Sequence, residues 1–211
     1  MMNSPLPVLA FLMLGNISVF GEDVTAANMT GYVPETAEQR WHHYLLDVAI
    51  SPAPYFAAAG AAGIDHLSNK PKEWGQGARG YADRFGSRFG RFTMTATISQ
   101  GMEAALGLET RYIRSGSKGF WRRSGYALAA TFFSFNREGH RVFNPGPAVG
   151  SYSSGILATA LWYPHRYDPL SKGLYLGTTE LSVFPLGNLL REFRPELKPL
   201  LNKVKLGMLL P

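Results

Sequence analysis

Small, aromatic and basic residues alternate with helical spacing in residues 74–92. At the ~100° per residue of an α-helix they fall on three different faces. The small residues recur at every fourth position and are Ala78, Ala82, Gly86 and Gly90. The arginines on the far side of the same predicted helix are Arg84, Arg88 and Arg91. We therefore predict that the small residues form a helix-packing seam and that these arginines face an anionic surface such as lipid headgroups.

The pattern after Arg91 supports more than one structure. From Phe92 to Ser99, apolar and polar residues alternate at all eight positions, which is typical of a β-strand. As a helix, the same segment turns Met94 and Ile98 to the side opposite the aromatic residues. Three interpretations follow: the helix ends near Arg91, it continues and is covered on both sides, or residues 92–99 form a strand.

Further helices are indicated by capping signals and by proline. Thr36 and Gln39 have the spacing of a capping box, which predicts a helix that begins after Thr36 and ends before Pro52. Another helix is expected over residues 119–136, and a longer segment over residues 171–193 is interrupted by Pro185.

Residues 142–164 contain no charged residue. Pro145 and Pro147 limit any helix here to about 17 residues, which is marginal for crossing a bilayer. Trp162 and Tyr163 at its end are typical of a membrane interface. The stretch is either such a helix or the buried helix of a soluble bundle.

Taken together, the patterns predict an all-α fold, a Gly/Ala-rich helical bundle that is membrane-associated or membrane-embedded. The alternative is a small outer-membrane β-barrel, in which residues 92–99 and 174–184 would be strands. The predicted organisation is a signal peptide over residues 1–21, a flexible acidic segment over 22–37, a single helical domain over 38–198, and a basic C-terminal tail over 199–211.

Export is predicted from the N-terminus. An apolar run from Leu6 to Phe20 is followed by Gly21, a suitable residue before a cleavage site. The segment before the run has no Lys or Arg, so an uncleaved anchor helix is the alternative. We expect the protein in the periplasm, at the outer membrane, or otherwise associated with a membrane of the cell envelope.

Charge is unevenly distributed, although the net charge is only +6. Residues 1–69 contain one arginine and six acids, whereas residues 70–141 contain thirteen lysines and arginines and five acids. A basic middle with a second cluster at Arg122 and Arg123 suits membrane lipid or a membrane-protein partner. The alternative is a solvated basic face. Nucleic acid is not expected, because no binding motif is present and an exported protein rarely meets it.

Catalytic signals are weak. The chain has no cysteine, which excludes disulfides, thiolate metal sites and a cysteine nucleophile. The histidines have no metal-site spacing, so neither a metal nor a cofactor is expected. If the protein is an enzyme, the candidate catalytic residues are Glu103, His66 and His165. We expect Glu103 to be buried, and an interhelical salt bridge to an arginine is the favoured interpretation over catalysis.

Four landmarks together resemble a family of uncharacterised exported bacterial proteins with no established activity. They begin at Trp74, Glu109, Leu161 and Asn188, and read WGQG…Y…RFGS, ETRY…SG…GFWR, LWYP and NLLREFRPE. The resemblance covers roughly residues 70–198. It implies helices at residues 92–107 and 174–193. This chain departs from the family pattern at Glu109-Thr110, where Asp-Pro is frequent, and at Arg194-Pro-Glu196, where Trp-Pro-Asp is frequent.

The function predicted from sequence is that of a cell-envelope structural or interaction protein. It would be held at the membrane by close-packed helices and basic faces, without catalytic activity. The alternative is an envelope enzyme that acts on lipid or cell-wall material. That enzyme would have Glu103, His66 or His165 in its site, and alanine at these positions would change more than stability.

Overall fold

A computed structural model describes residues 25–26 and 32–203, with side chains as far as residue 199. The described residues are mostly helical, as the sequence predicts. The signal peptide predicted at residues 1–21 and residues 204–211 of the tail lie outside the described residues. The helices are α1 (Ala37–Leu45), α2 (Ala53–Leu67), α3 (Gly77–Ala105), α4 (Phe120–Ala129), α5 (Gly146–Leu161), α6 (Pro169–Leu181), α7 (Val183–Glu192) and α8 (Arg194–Lys203).

Helix α1 begins where the capping signal places it. The Thr36 hydroxyl accepts a bond from the backbone N–H of Gln39 at 3.2 Å, and the Gln39 side chain accepts one from the N–H of Thr36 at 2.9 Å. The capping box is therefore confirmed. A π-helical turn, Leu46–Ile50, extends α1 to the proline-containing start of α2.

Residues 92–99 are helical, so the strand interpretation of that segment is wrong. They lie inside α3, which is 29 residues long, or about 43 Å. Residues 174–184, the other proposed strand, lie in α6 and the start of α7. Two polar residues of the alternating pattern, Thr95 and Ser99, are buried against α5, whereas Thr97 is exposed. Packing between helices therefore overrides the local strand preference.

The helix expected over residues 119–136 is shorter than predicted. Helix α4 ends at Ala129, and strand β1 (Phe133–Phe135) pairs in antiparallel fashion with β2 (Arg141–Phe143). Gly139 has a φ of 76° in the connecting turn, a conformation that glycine adopts without strain. The long segment over residues 171–193 is divided at Ser182, three residues before Pro185.

Glycines allow α5 to approach α3 and α6 closely. A Cβ at Gly150 would lie 2.7 Å from the Thr95 carbonyl oxygen on α3, and one at Gly155 would lie 2.3 Å from the Gly173 carbonyl oxygen on α6. Helix α5 runs antiparallel to both neighbours, since residue 146 meets residue 99 while Trp162 bonds to Ser87. These contacts form the close-packed seam of the fold.

The seam predicted at α3 is misplaced. Ala78, Ala82 and Gly86 are exposed, and a Cβ at Gly86 would meet nothing within 4 Å. Gly90 does lie against Trp162, since a Cβ added there would be 3.7 Å from the indole ring. The buried face of α3 is a different one, which begins with Gly80, Arg84 and Ser87.

Replacing Gly155 by alanine tests the seam. We expect Gly155→Ala to lower the free energy of unfolding by about 2 kcal/mol or more, because the added Cβ meets backbone atoms that cannot rotate away. Gly86→Ala is the matched control and should leave stability unchanged or raise it by up to about 1 kcal/mol. Thermal unfolding followed by circular dichroism measures both. Equal losses in the two variants would contradict this packing.

Candidate functional site

The buried face of α3 is polar. Its buried residues are spaced three or four apart along the whole helix: Gly80, Arg84, Ser87, Arg91, Thr95, Ser99 and Glu103. In the same helix block, large apolar side chains are exposed, among them Leu161 (68% exposed) and Tyr175 (61%). This block therefore inverts the usual distribution of polar and apolar side chains in a soluble protein.

Arg84 does not face an anionic surface. Its side chain is fully buried and donates hydrogen bonds to the carbonyl oxygens of Gly75 and Gly80, both at 2.8 Å. Further bonds reach the carbonyl oxygens of Lys70 and Pro71. The guanidinium thus holds the segment before α3 against the helix, and the headgroup role predicted for it is wrong.

Arg88 and Arg91 also point inward. Arg88 forms a two-bond ion pair with Asp65 of α2, at 2.7 and 2.8 Å. The guanidinium of Arg91 is fully buried and lies 3.3 Å from a carboxylate oxygen of Glu180 on α6. None of its three nitrogens has a hydrogen-bond partner among the described residues. Both arginines connect helices, so the predicted lipid-facing role is wrong for them too.

The second basic cluster is divided. Arg122 is exposed, as predicted. Arg123 instead contacts two carboxylates on the helices that follow, Glu192 and Glu196, and its guanidinium lies 4.3 Å from the Phe193 ring centre. Of the five arginines predicted to bind anions, Arg122 is the one that pairs with no residue in the part of the chain that the structure describes.

Glu192 joins two of the sequence landmarks. Its carboxylate accepts bonds from the Tyr112 hydroxyl at 2.9 Å, from the Ser115 hydroxyl at 2.6 Å and backbone N–H at 3.0 Å, and from Arg123. Burial alone raises the pKa of Glu192, but the bonds from Ser115, Arg123 and Tyr112 outweigh it and the pKa is lowered. The landmark residues here form a structural anchor between α7 and the loop after α3.

A second network ties the segment before α1 to the same loop. Glu35 is buried, bonds to His43 and Thr110, and adjoins Glu109, which accepts a bond from the Tyr32 hydroxyl at 2.7 Å. Burial and the Glu109 carboxyl raise the pKa of Glu35. Burial also acts to raise the pKa of Glu109, but its bonds to Arg111, Glu35 and Tyr32 lower it to about 2. The contact between the two carboxyl groups therefore moves their pKa values in opposite directions.

The three catalytic candidates do not converge. His66 lies at the end of α2, with Nδ1 3.3 Å from Arg84, and His165 is exposed in the loop after α5. Glu103 lies 19 residues beyond Arg84 on α3, which corresponds to about 28 Å along the helix. A site that uses all three residues is therefore ruled out by the geometry.

Glu103 faces a cavity of about 140 Å³ between α3, α4, α5 and α7. Its Oε1 accepts a bond from the Asn144 side-chain amide at 2.7 Å. Sequence analysis expected an arginine partner instead. The polar residues that line the cavity include Asp47, Ser99, Glu103, Glu109, Arg111, Thr131, Asn144, Glu180, Asn188 and Arg191.

Burial raises the pKa of Glu103 to about 7. The Asn144 hydrogen bond and the charges of Arg40 and Arg191 act in the opposite direction, and Glu109 adds to the rise. Glu103 therefore changes charge close to neutral pH, which distinguishes it from the other cavity acids with a resolved shift.

Comparison with protein-family models, curated proteins and solved structures gave no match for this chain. The resemblance drawn from the landmarks therefore stays a prediction. Among the described residues, no three His, Asp or Glu side chains come close enough to hold a metal ion. The site has to be interpreted from its own geometry.

Sequence reasoning missed most of the cavity. Asn144 and Asn188 are buried polar residues on separate elements, and Arg191 lies on α7 within a landmark that carried no chemical role. One signal was available: Asn144 precedes a proline and an uncharged helix, a position where an amide side chain caps the helix. Its Oδ1 does accept the N–H of Gly146, at 2.9 Å.

Glu192→Gln tests the anchor. We expect it to lower the free energy of unfolding by about 3 kcal/mol, because Arg123 keeps its buried charge while its buried partner loses its own. Glu196→Gln is the control, since Glu196 also contacts Arg123 but is half exposed. The loss in free energy of unfolding of Glu196→Gln should stay within about 1 kcal/mol. Chemical unfolding of both variants at pH 7 measures the difference, and a similar cost would refute the anchor role.

The raised pKa of Glu103 predicts a pH dependence of stability. Above its ordinary pKa the unfolded chain loses this proton first, so the folded state becomes less stable as pH rises from about 5 to about 7. We expect Glu103→Gln to remove this slope and to be more stable than the parent at pH 8, by an amount on the order of 3 kcal/mol. Unfolding curves recorded between pH 5 and 8 measure the change in stability with pH. An unchanged slope in Glu103→Gln would show that Glu103 is not the group responsible.

Proposed function

We propose that this protein is a membrane-associated helical protein of the cell envelope with a structural or interaction role. The observation that carries the proposal is the inverted polarity of the block formed by α2, α3, α5 and α6. In water, exposed apolar faces and buried guanidinium groups are both unfavourable. In a lipid bilayer, apolar faces can contact the hydrocarbon tails without cost, and polar groups are most stable inside the protein.

The charges at the two ends of the block support lipid as the surrounding medium. One end has a salt bridge between Arg166 and Glu73, with the rings of Trp74 and Tyr163 5.1 Å apart beside it. The other end has the charged turn between β1 and β2. Between these ends, α5 exposes side chains such as Leu157 and no charge. Aromatic and charged residues at the ends of apolar helices are typical of membrane interfaces.

Hydropathy gives weaker support. One stretch among the described residues, Ala37–Leu67, is long and apolar enough to cross a membrane by length and composition. A single such stretch is also found in soluble proteins. Hydropathy averages do not distinguish faces, so α3 scores low although its charges along the middle of the helix are turned inward.

Export and envelope location rest on the sequence alone, because the apolar run before Gly21 lies outside the described residues. The alternative function, an enzyme acting on lipid or cell-wall material, keeps one supporting feature. Glu103 lines a cavity, but His66 and His165 are elsewhere.

Membrane fractionation tests the proposal. We expect the full chain, expressed in its native host, to stay in the membrane pellet after high-salt and carbonate washes and to be released by detergent. Salt should have little effect, because Arg84 and Arg91 are fully buried and Arg88 is paired with Asp65. Release by salt alone would exclude attachment through the apolar faces.

Charged substitutions on the apolar faces give a second test. Leu157→Glu places a carboxylate on the outer side of α5, and we expect it to shift the protein towards the carbonate-soluble fraction. Val33→Glu is the matched control, since Val33 is also exposed but precedes α1. It should remain in the pellet. Identical partitioning of the two variants, with both folded by circular dichroism, would contradict lipid contact at α5.

A further inference from the structure

Two of the four carboxylates that line the cavity lie beside a guanidinium group. Glu109 pairs with Arg111 at 3.0 Å, and Glu180 lies 3.3 Å from Arg91. Asp47 and Glu103 both act electrostatically on Arg191, which also lines the cavity. The charges of Glu109 and Glu180 are therefore balanced by a close partner.

Glu103 has no such close partner, although the charges of Arg40 and Arg191 act on it. It forms no ion pair with any residue that the structure describes, and the hydrogen bond it does accept comes from the neutral amide of Asn144. That bond occupies Oε1, and Oε2 accepts no hydrogen bond from the described part of the chain. The residue is only 8% exposed and lines the cavity. A buried carboxylate in this position requires a proton or a cation.

The remaining wall of the cavity favours an organic cation over a metal ion. Its aromatic lining residues are Phe92, Tyr112, Tyr126, Phe133, Phe135 and Phe184. Aromatic faces attract ammonium and guanidinium groups, and Arg141 already lies 4.7 Å from the Tyr126 ring centre. A metal ion would need several carboxylate or imidazole ligands, and the described residues provide no such group.

We propose that this cavity binds a small organic ammonium ion, with Glu103 as its counter-ion and the aromatic residues as its walls. The cavity volume of about 140 Å³ is close to that of cavities known to hold a benzene-sized molecule, so the part of the ligand inside it has roughly six to eight heavy atoms. This assignment does not depend on membrane association, since the cavity is formed within one chain.

The first experiment compares two probes of equal size on the purified full-length chain. Propylammonium and 1-propanol differ in the charged group, and isothermal titration calorimetry at pH 7 measures both. We expect propylammonium to bind at least about tenfold more tightly, because a charge-assisted hydrogen bond to Glu103 is available only to the cation. Equal affinities, or no binding of either probe, would overturn the proposal.

The second experiment locates the site. Glu103→Gln keeps the shape of the side chain and an oxygen for Asn144 but removes the charge, so the preference for propylammonium should disappear. Glu138→Gln removes an exposed carboxylate in the turn after β1 and should leave the preference unchanged. Unchanged propylammonium affinity in Glu103→Gln would place the cation elsewhere and refute the assignment. Since the first experiment uses the parent chain, it decides the question even if this variant folds poorly.

Discussion

The structure depends on how the polar groups along the buried face of α3 find partners. Thr95 and Ser99 bond to groups on α5, and the distance between the helix backbones determines whether those groups are in reach. Gly146 and Gly150 bring α5 close enough for the Ser99 hydroxyl to donate to the Gly146 carbonyl oxygen at 3.0 Å. A Cβ at Gly150 would lie 2.1 Å from that same hydroxyl. Helix spacing and polar satisfaction are therefore one constraint.

The same constraint explains the landmarks in the sequence. Gly75 supplies a carbonyl oxygen to Arg84, and Gly80 is required because a Cβ there would lie 2.5 Å from that oxygen. At the other side of the molecule, Glu192 collects bonds from Tyr112 and Ser115. The motifs that suggested a family are thus groups of residues that satisfy each other's polar atoms. They explain the fold without implying catalysis.

Contacts between residues close in sequence could be predicted, and contacts between residues far apart in sequence could not. The Thr36 cap involves residues three positions apart, so the sequence contains the whole interaction. The environment of Thr95 depends on Ser154, which is 59 positions away, and alternation alone pointed to a strand. The arginines of α3 were placed outward because charge is normally exposed. Arg84 is inside because carbonyl oxygens of the preceding loop replace water, an arrangement that periodicity does not reveal.

The two ends of the polar face differ in how completely they are satisfied. At the N-terminal end, the loop before α3 folds back over Arg84 and provides several carbonyl oxygens. At the C-terminal end, the chain turns away at Gly107, and among the described residues the Glu103 carboxylate accepts a hydrogen bond from the Asn144 amide alone, beside an open cavity. A buried charge with only a structural role would be more stable if it were surrounded by hydrogen-bond partners, as Arg84 is. The incomplete shell around Glu103 therefore fits a group that exchanges its partner, which is the property that a binding site requires.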